Sequence, residues 1–295
     1  MEDTVNTYGF MLVKNEADII AQTLASLRRY GGFKHIFVFD NGSTDDTLAI
    51  ARGFIGPDLS VASLPTPFSD NLKFETVYQH RHLMQDGDWF AILDADEVYA
   101  EPLQPVLNAA AREGANFVEC QSAQFYFTDA EENYGFDPAT PAIQQRRHYL
   151  VNYGEPRVFR YASGTTLTAD AVKQRAPGLT KASRQFLIHH FQFRSDQQTQ
   201  KRIDIRRQNN QHSNNWGHIN SDQWRDYLVP HQHLHRYDGE IRYGLPANAN
   251  LYKIKDNAAY TMANLKWLQR HGHLTPTQQG FMSAGLLKRI IHKVW

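Results

Sequence analysis

Phe90-Ala91-Ile92-Leu93-Asp94-Ala95-Asp96-Glu97-Val98 decides how the rest of this chain is read. The four apolar residues predict a buried strand, and the acids fall where that strand leaves its sheet. Side chains alternate along a strand, so Asp94 and Asp96 are expected on one side. Two carboxylates at a strand end make a hard, oxygen-rich site for Mg²⁺ or Mn²⁺, and such a metal grips a phosphate. Taken alone, the segment also fits an acidic turn after a core strand.

Upstream, the same pattern recurs. Tyr8–Val13 is a short apolar run that predicts a first strand, with Lys14-Asn15-Glu16 at its end. Asn15 is a helix cap with Asp18 three residues on, and Ile19, Ile20, Leu24 and Leu27 follow at helical spacing up to Gly31-Gly32. Ile36–Phe39 predicts a second strand closing on Asp40-Asn41-Gly42. Ser43-Thr44-Asp45-Asp46 then reads as a capping box opening a helix through Ala51. A third strand is expected near Val61–Leu64 and a helix over Leu72–Met84. Strand and helix thus alternate four times within about 95 residues, the pattern of a mostly parallel α/β sheet with right-handed crossovers. Ligands bind such sheets at the carboxyl ends of the strands. Lys14-Asn15-Glu16, Asp40-Asn41 and Asp94-Ala95-Asp96 all fall there.

Downstream the pattern loosens. A helix is expected up to Arg112 and strands at Phe117–Cys120 and Gln124–Thr128. Residues 129–156 read as loops with short elements, a place for a variable substrate. Phe186–Phe193 is β-like and carries His189 and His190. Ser195-Asp196-Gln197-Gln198 is a capping box for a helix through about Gln208. That helix carries Lys201, Arg202, Arg206 and Arg207, a solvated face or one turned to an anion. Residues 208–222 read as a linker, and the remainder as mainly helical. The expected division is 1–210 for the site-bearing domain and 211–295 for a helical extension. His231, His233 and His235 look like metal ligands but also fit surface packing. Phe281, Leu286, Leu287, Ile290, Ile291, Val294 and Trp295, interspersed with Lys288, Arg289 and Lys293, suggest a basic amphipathic helix. It suits peripheral contact with an anionic membrane, or packing on the protein itself.

Composition narrows the class. The 295 residues are 41% hydrophobic, enough for a substantial core. Lys+Arg and Asp+Glu each number 31, so no overall basic field invites nucleic acid. Cys120 is the one cysteine, so no intrachain disulfide forms and a reduced setting is expected. The acidic, polar start shows no signal-peptide pattern, and no apolar stretch approaches the ~20 residues that cross a bilayer. These features suggest a cytoplasmic protein, placed at the inner membrane face if the last helix binds there.

Residues 11–20, 38–47 and 93–97 together resemble, in order and spacing, the GT-A glycosyltransferases of the family 2 type. The run His190-Phe191-Gln192-Phe193-Arg194-Ser195 resembles a later motif of one branch of that superfamily. The resemblance covers residues 8 to about 207. It implies a Rossmann-like GT-A fold and a metal-dependent transfer of a hexose-type sugar, with inversion. The donor would be a nucleotide-diphosphate sugar, UDP-sugar foremost, and the acceptor a glycan or lipid-linked molecule, as in polysaccharide biosynthesis.

Position by position, the resemblance implies that Val13, Lys14, Asn15 and Glu16, with Asp40, hold the nucleobase and ribose. Asn41, Ser43 and Asp45 shape the adjoining loop. Asp94 contacts the ribose or a metal-bound water, Asp96 ligates Mn²⁺ or Mg²⁺ directly, and His190 is the third protein ligand. Arg194 and the helix N-terminus at Ser195 add to diphosphate stabilisation. Asp196 is the candidate general base, in competition with Glu155, Glu119 and the cluster 129–132. Each has a plainer reading: Asp40 as a turn cap, Lys14 as a solvated charge, His189 and His190 as packed histidines, Asp196 as a stabiliser of its helix start. Two other functions fit the opening motif. One is a haloacid dehalogenase-type phosphohydrolase with Asp94 as nucleophile and Asp96 as acid/base. The other is a degenerate nucleotide-binding protein.

Overall fold

A computed structural model describes residues 6–131, 134–210, 221–247, 249, 266–276 and 279. The elements run β1 (Thr7–Val13), α1 (Ile20–Tyr30), β2 (His35–Asp40), α2 (Thr47–Arg52), β3 (Leu59–Ser63), α3 (Asp70–Gln79), β4 (Trp89–Leu93), β5 (Glu97–Tyr99) and α4 (Gln104–Arg112). Then follow β6 (Phe117–Tyr126), α5 (Ala142–Gln145), β7 (His148–Arg160), α6 (Ala169–Lys173), β8 (Phe186–His190), α7 (Asp196–Asn210) and β9 (His235–Arg236). The chain forms two compact units, residues 1–122 with 154–190 and residues 123–153 with 191–295. The passages between them fall within β6, within β7 and after β8.

In the first unit the strands lie in the order β3-β2-β1-β4-β7-β6-β8-β5. β1 is central because it pairs in parallel on both edges. Met11 stands beside Val38 on one edge and Leu93 on the other, and Val13 beside Asp40. β2 and β3 are also parallel, whereas β4 with β7 and β5 with β8 are antiparallel. The result is the mixed, largely parallel sheet with flanking helices expected of a GT-A fold.

Alternation along β1 divides the core. Met11 and Val13 join Leu24 and Leu27 of α1, Ala51 of α2 and Val106 of α4 on one face. Tyr8 and Phe10 join Phe74 and Val77 of α3 and Ala169 of α6 on the other. Burial on both faces is why these strands are apolar runs rather than alternating ones.

Several boundaries differ from the sequence pattern. α1 starts at Ile20, because Asn15 takes a left-handed φ of 57° and Glu16 closes a turn through its carbonyl to Ile19 and Ile20. α2 starts at Thr47, not at Ser43. Asp45 accepts there from the Thr47 amide (3.1 Å) and hydroxyl (2.5 Å). α3 opens at Asp70 with Ser69 as its cap. Residues 117–120 and 124–128 do not form separate strands, since β6 runs unbroken from Phe117 to Tyr126. The larger correction is β7, a thirteen-residue strand that begins at His148, inside the 129–156 range expected to be loops with short elements, and runs on to Arg160. Gly154 and Pro156 punctuate it, but Tyr149, Leu150, Val151, Val158 and Phe159 bury on either side of them. Tertiary packing overrides the local breakers.

The second unit is aromatic. Phe125 stacks on Phe191 with ring centroids 4.8 Å apart, and Phe127 on Trp224 at 5.7 Å. β9 pairs with β7 at His148 and Tyr149. Ser195 caps α7 by accepting from the Gln198 amide at 3.0 Å, as the capping box predicts. The described part of residues 211–295 contains two 3-10 turns (Trp224–Tyr227 and His231–His233), β9 and helical residues 266–270. The amphipathic segment 281–295 lies outside the described residues. Among the described residues no helix is long and apolar enough to cross a membrane.

Cys120 is 1% exposed in the first core, and burial pushes its thiol well above its ordinary value. A neutral, enclosed thiol does not attack disulfide reagents. The native protein should therefore resist labelling by an aromatic disulfide and react stoichiometrically in denaturing urea. Rapid labelling without denaturant would contradict this packing.

Candidate active site

The pairing register gathers the candidate residues of the first unit at one end of its sheet. Because Val13 stands beside Asp40, the loop after β1 meets the loop after β2, and their polar side chains clasp. The Asn15 amide donates to Ser43 Oγ at 3.0 Å, and Asn15 Oδ1 accepts from the Thr44 amide at 2.8 Å. The Glu16 amide donates to Thr47 Oγ1 at 2.8 Å. Asparagine tolerates the left-handed backbone at position 15 better than a bulkier residue would. The Asn41 amide donates to Val13 O at 2.8 Å, and its side chain donates to Leu64 O and Thr66 O, tying down the loop after β3.

Asp40 is 2% exposed. Its Oδ2 accepts from the Gly42 and Ser43 amides at 3.2 and 3.1 Å, a turn in which Gly42 supplies a φ of +77°. Its Oδ1 is buried with no hydrogen-bond partner. A buried carboxylate oxygen without a donor is costly unless a ligand completes it.

Beyond β4 the chain turns at once, and the Glu97 amide donates back to Asp94 O at 3.3 Å. Strand alternation therefore does not place Asp94 and Asp96, which belong to this turn. Helix α1 holds the turn and the strand after it. Thr23 Oγ1 donates to Ala95 O at 2.6 Å, and the Tyr99 amide donates to Ser26 Oγ at 3.0 Å. β5 then pairs Glu97 with His190 and Val98 with His189. That register brings His190 Nε2 to 3.5 Å from Asp96 Oδ1.

The cations here were not apparent from sequence. Asp94 contacts Lys73 through Oδ1 and Arg157 through Oδ2, the latter at 2.9 Å. Arg157 also contacts Glu97, and Glu155 at 3.2 Å. Burial alone would raise the Asp94 carboxyl, but Lys73 and Arg157 outweigh it and hold it at about 2. Burial pushes Glu97 up to about 7, with Asp94 and Glu155 adding to the push and Arg157 opposing it. His189, next to His190 on β8, is lowered to about 4 by burial. Lys73 breaks a helix face of buried Leu72, Phe74, Thr76 and Val77, and Arg157 precedes buried Val158 and Phe159. A charge interrupting an apolar run was the available signal.

Asp96 and His190 offer one oxygen and one nitrogen donor side by side, a fit to part of a divalent-metal site. Among the described residues no group of three or more His, Cys, Asp or Glu side chains is arranged to hold a metal. Arg194 and Asp196 belong to the second unit. Arg194 is fully buried and donates to Phe191 O at 2.6 Å, while its own carbonyl accepts from Arg146. Asp196 begins α7, accepts from the Gln197 amide at 2.7 Å, and lines a groove with Gln200, Lys201, Asp204 and Trp224. His231 leans on Asp129 at 2.8 Å, and His235 lies in β9.

The family model for glycosyl transferase family 2 matches residues 10–163, just over half of the 295. Among solved structures, S. aureus TarS 1-349 is 13% identical, with 68% of this chain and 64% of that one covered and a TM-score of 0.36. Glucosyl-3-phosphoglycerate synthase from Mycobacterium tuberculosis, in complex with Mn²⁺, uridine diphosphate and phosphoglyceric acid, is 24% identical, with 41% and 43% covered and a TM-score of 0.28. This chain thus spans less than two thirds of either structure. No curated protein matches.

Glu97 and His189 set opposing pH dependences. Between the ordinary 4.5 and about 7, folded Glu97 keeps a proton that the unfolded chain releases, so stability falls as pH rises. Between about 4 and the ordinary 6.5, unfolded His189 takes up a proton that the folded protein refuses, so stability falls as pH falls. Urea unfolding from pH 4 to 8 should show Glu97→Gln gaining on the wild type as pH rises. His189→Gln should gain as pH falls. Each difference should span about 1–3 kcal/mol; parallel profiles would refute the assignment.

Proposed function

This chain belongs to glycosyl transferase family 2, and on that premise we propose that it is a glycosyltransferase whose donor is a nucleotide-diphosphate sugar, UDP-sugar foremost, used with a divalent metal. The observation that carries this reading is the unpartnered, buried Oδ1 of Asp40 at the carboxyl end of β2. An ionised carboxylate only accepts hydrogen bonds, so it calls for a donor such as a ribose hydroxyl or the imide N–H of uracil. Val13, Lys14, Asn15 and Glu16 would line the same nucleoside pocket, with Asn41 and Ser43 holding its far loop.

Asp96 and His190 would hold the metal. Mn²⁺ suits a mixed oxygen and imidazole set. When bound, it supplies positive charge to the departing diphosphate. Asp94 would act from outside the coordination shell, toward the ribose or a metal-bound water, because Lys73 and Arg157 already contact its carboxylate. Arg194 is enclosed within its own unit and is not assigned a phosphate contact.

We place the acceptor-side base at Asp196, on the rim of the groove along α7. In that role it would take the proton from the acceptor hydroxyl as the new glycosidic bond forms with inversion, and the nucleoside diphosphate leaves with the old bond's electron pair. The acceptor class is a glycan or lipid-linked glycan, and the setting the cytoplasm or its membrane face. The phosphohydrolase alternative is not favoured, since a nucleophilic Asp94 would have to be released from two cations.

Thermal shift with UDP and Mn²⁺ together should raise Tm more than either alone. Asp96→Ala should abolish the joint effect; an unchanged shift would remove Asp96 from the metal site. Asp40→Asn should weaken UDP at least tenfold. Asp196→Asn should lower kcat by about 10²-fold or more while UDP binding stays within twofold; unaltered turnover would dismiss it as the base.

A further inference from the structure

We infer that Arg157 is a positioning residue of the donor site, clamping both ends of the Asp94–Glu97 turn and so aiming Asp96 at His190. The inference rests on the metal and nucleotide reading above. It begins with register. The antiparallel ladder of β4 and β7 runs to Ala91 beside Val158. Arg157 therefore stands one residue beyond, toward the carboxyl end of β4, where the acidic turn begins.

One nitrogen does the clamping. Nη2 of Arg157 meets Asp94 Oδ2 at 2.9 Å, Glu97 Oε1, and Glu155 Oε2 at 3.2 Å. Asp94 and Glu97 are the first and last residues of the turn, and Asp96 lies between them facing His190 at 3.5 Å. The Thr23 hydroxyl also fixes the turn, donating to Ala95 O. The turn is thus held by a side-chain hydrogen bond from α1 and by charge from β7. Without the cation, the acids at the two ends of the turn would lose the one group that both of them touch.

The arginine's own hydrogen bonding is poorly served by this placement. Its Nε–H is buried and has no partner. Arginine's usual advantage is a two-pronged grip on one carboxylate. Here one prong is shared among three carboxylates, an arrangement that orders the acids at the expense of the guanidinium. The residue sits where a turn needs shaping, and the shaped turn carries the proposed metal ligand.

The test separates shape from stability. Arg157→Met combined with Glu97→Gln removes the cation together with one of the acids it holds, and Glu97→Gln alone is its reference. Mn²⁺ affinity in the presence of UDP is read by the electron paramagnetic resonance of free Mn²⁺, with urea unfolding in parallel. The double variant should bind Mn²⁺ at least tenfold more weakly than Glu97→Gln while unfolding at a similar urea concentration. Affinity within twofold of Glu97→Gln would overturn the clamp. If the double variant does not fold, Arg157→Gln is measured against the wild type by the same criterion. Failure of the wild type to bind Mn²⁺ with UDP would defeat the nucleotide reading itself, and the clamp with it. Wild-type binding with an undiminished variant defeats the clamp alone.

Discussion

The parallel pairing of β1 between β2 and β4 is the constraint on which everything else depends. It fixes Val13 beside Asp40 and Met11 beside Leu93. Strand spacing near 4.8 Å then brings three loops within reach of a single ligand. Each loop starts at the point where its strand ends, so a slip of one residue would turn Asp40 to the opposite face. The apolar runs resist such a slip, because Phe10 and Met11 feed separate cores on the two faces. Core packing and site geometry are here one requirement.

Much of this was legible in the chain. Apolar runs ending in Lys14-Asn15-Glu16, Asp40-Asn41 and Asp94-Ala95-Asp96 marked the three strand ends, and Ser195 was recognisable as a cap. Strand alternation does not account for Asp94 and Asp96, since a turn and not a strand places them. β7 was illegible for a physical reason: Gly154 and Pro156 are local breakers, and only its pairing with strands distant in sequence, β9 near its start and β4 near its end, reveals the strand. The ion pairs of Lys73 and Arg157 were equally hidden. They join residues distant in sequence, and no local pattern encodes which acid a lone cation will meet.

Charge around the Asp94–Glu97 turn is arranged unequally, and the inequality is informative. Asp94 has two cationic neighbours and is held at about 2, whereas Glu97 shares one and is pushed to about 7. Two carboxyls three residues apart thus have opposite protonation habits at mild pH. Burial sets the direction for Glu97, and proximity to cations reverses it for Asp94. On the proposed reading the acids of this turn have separate tasks, with direct metal contact assigned to Asp96.

The interrupted course of the first unit also constrains the order in which the site can be built. Asp94 and Asp96 leave the ribosome well before Arg157 and His190, and residues 123–153, part of the other unit, come between. A nascent chain ending near Ser122 would hold four paired strands, β1 to β4, and an acidic turn with Lys73 as a counter-charge but no Arg157. The parallel core can condense early, but its acidic rim must await the returning strand. Chain order thus keeps the site electrostatically incomplete until the excursion has been made.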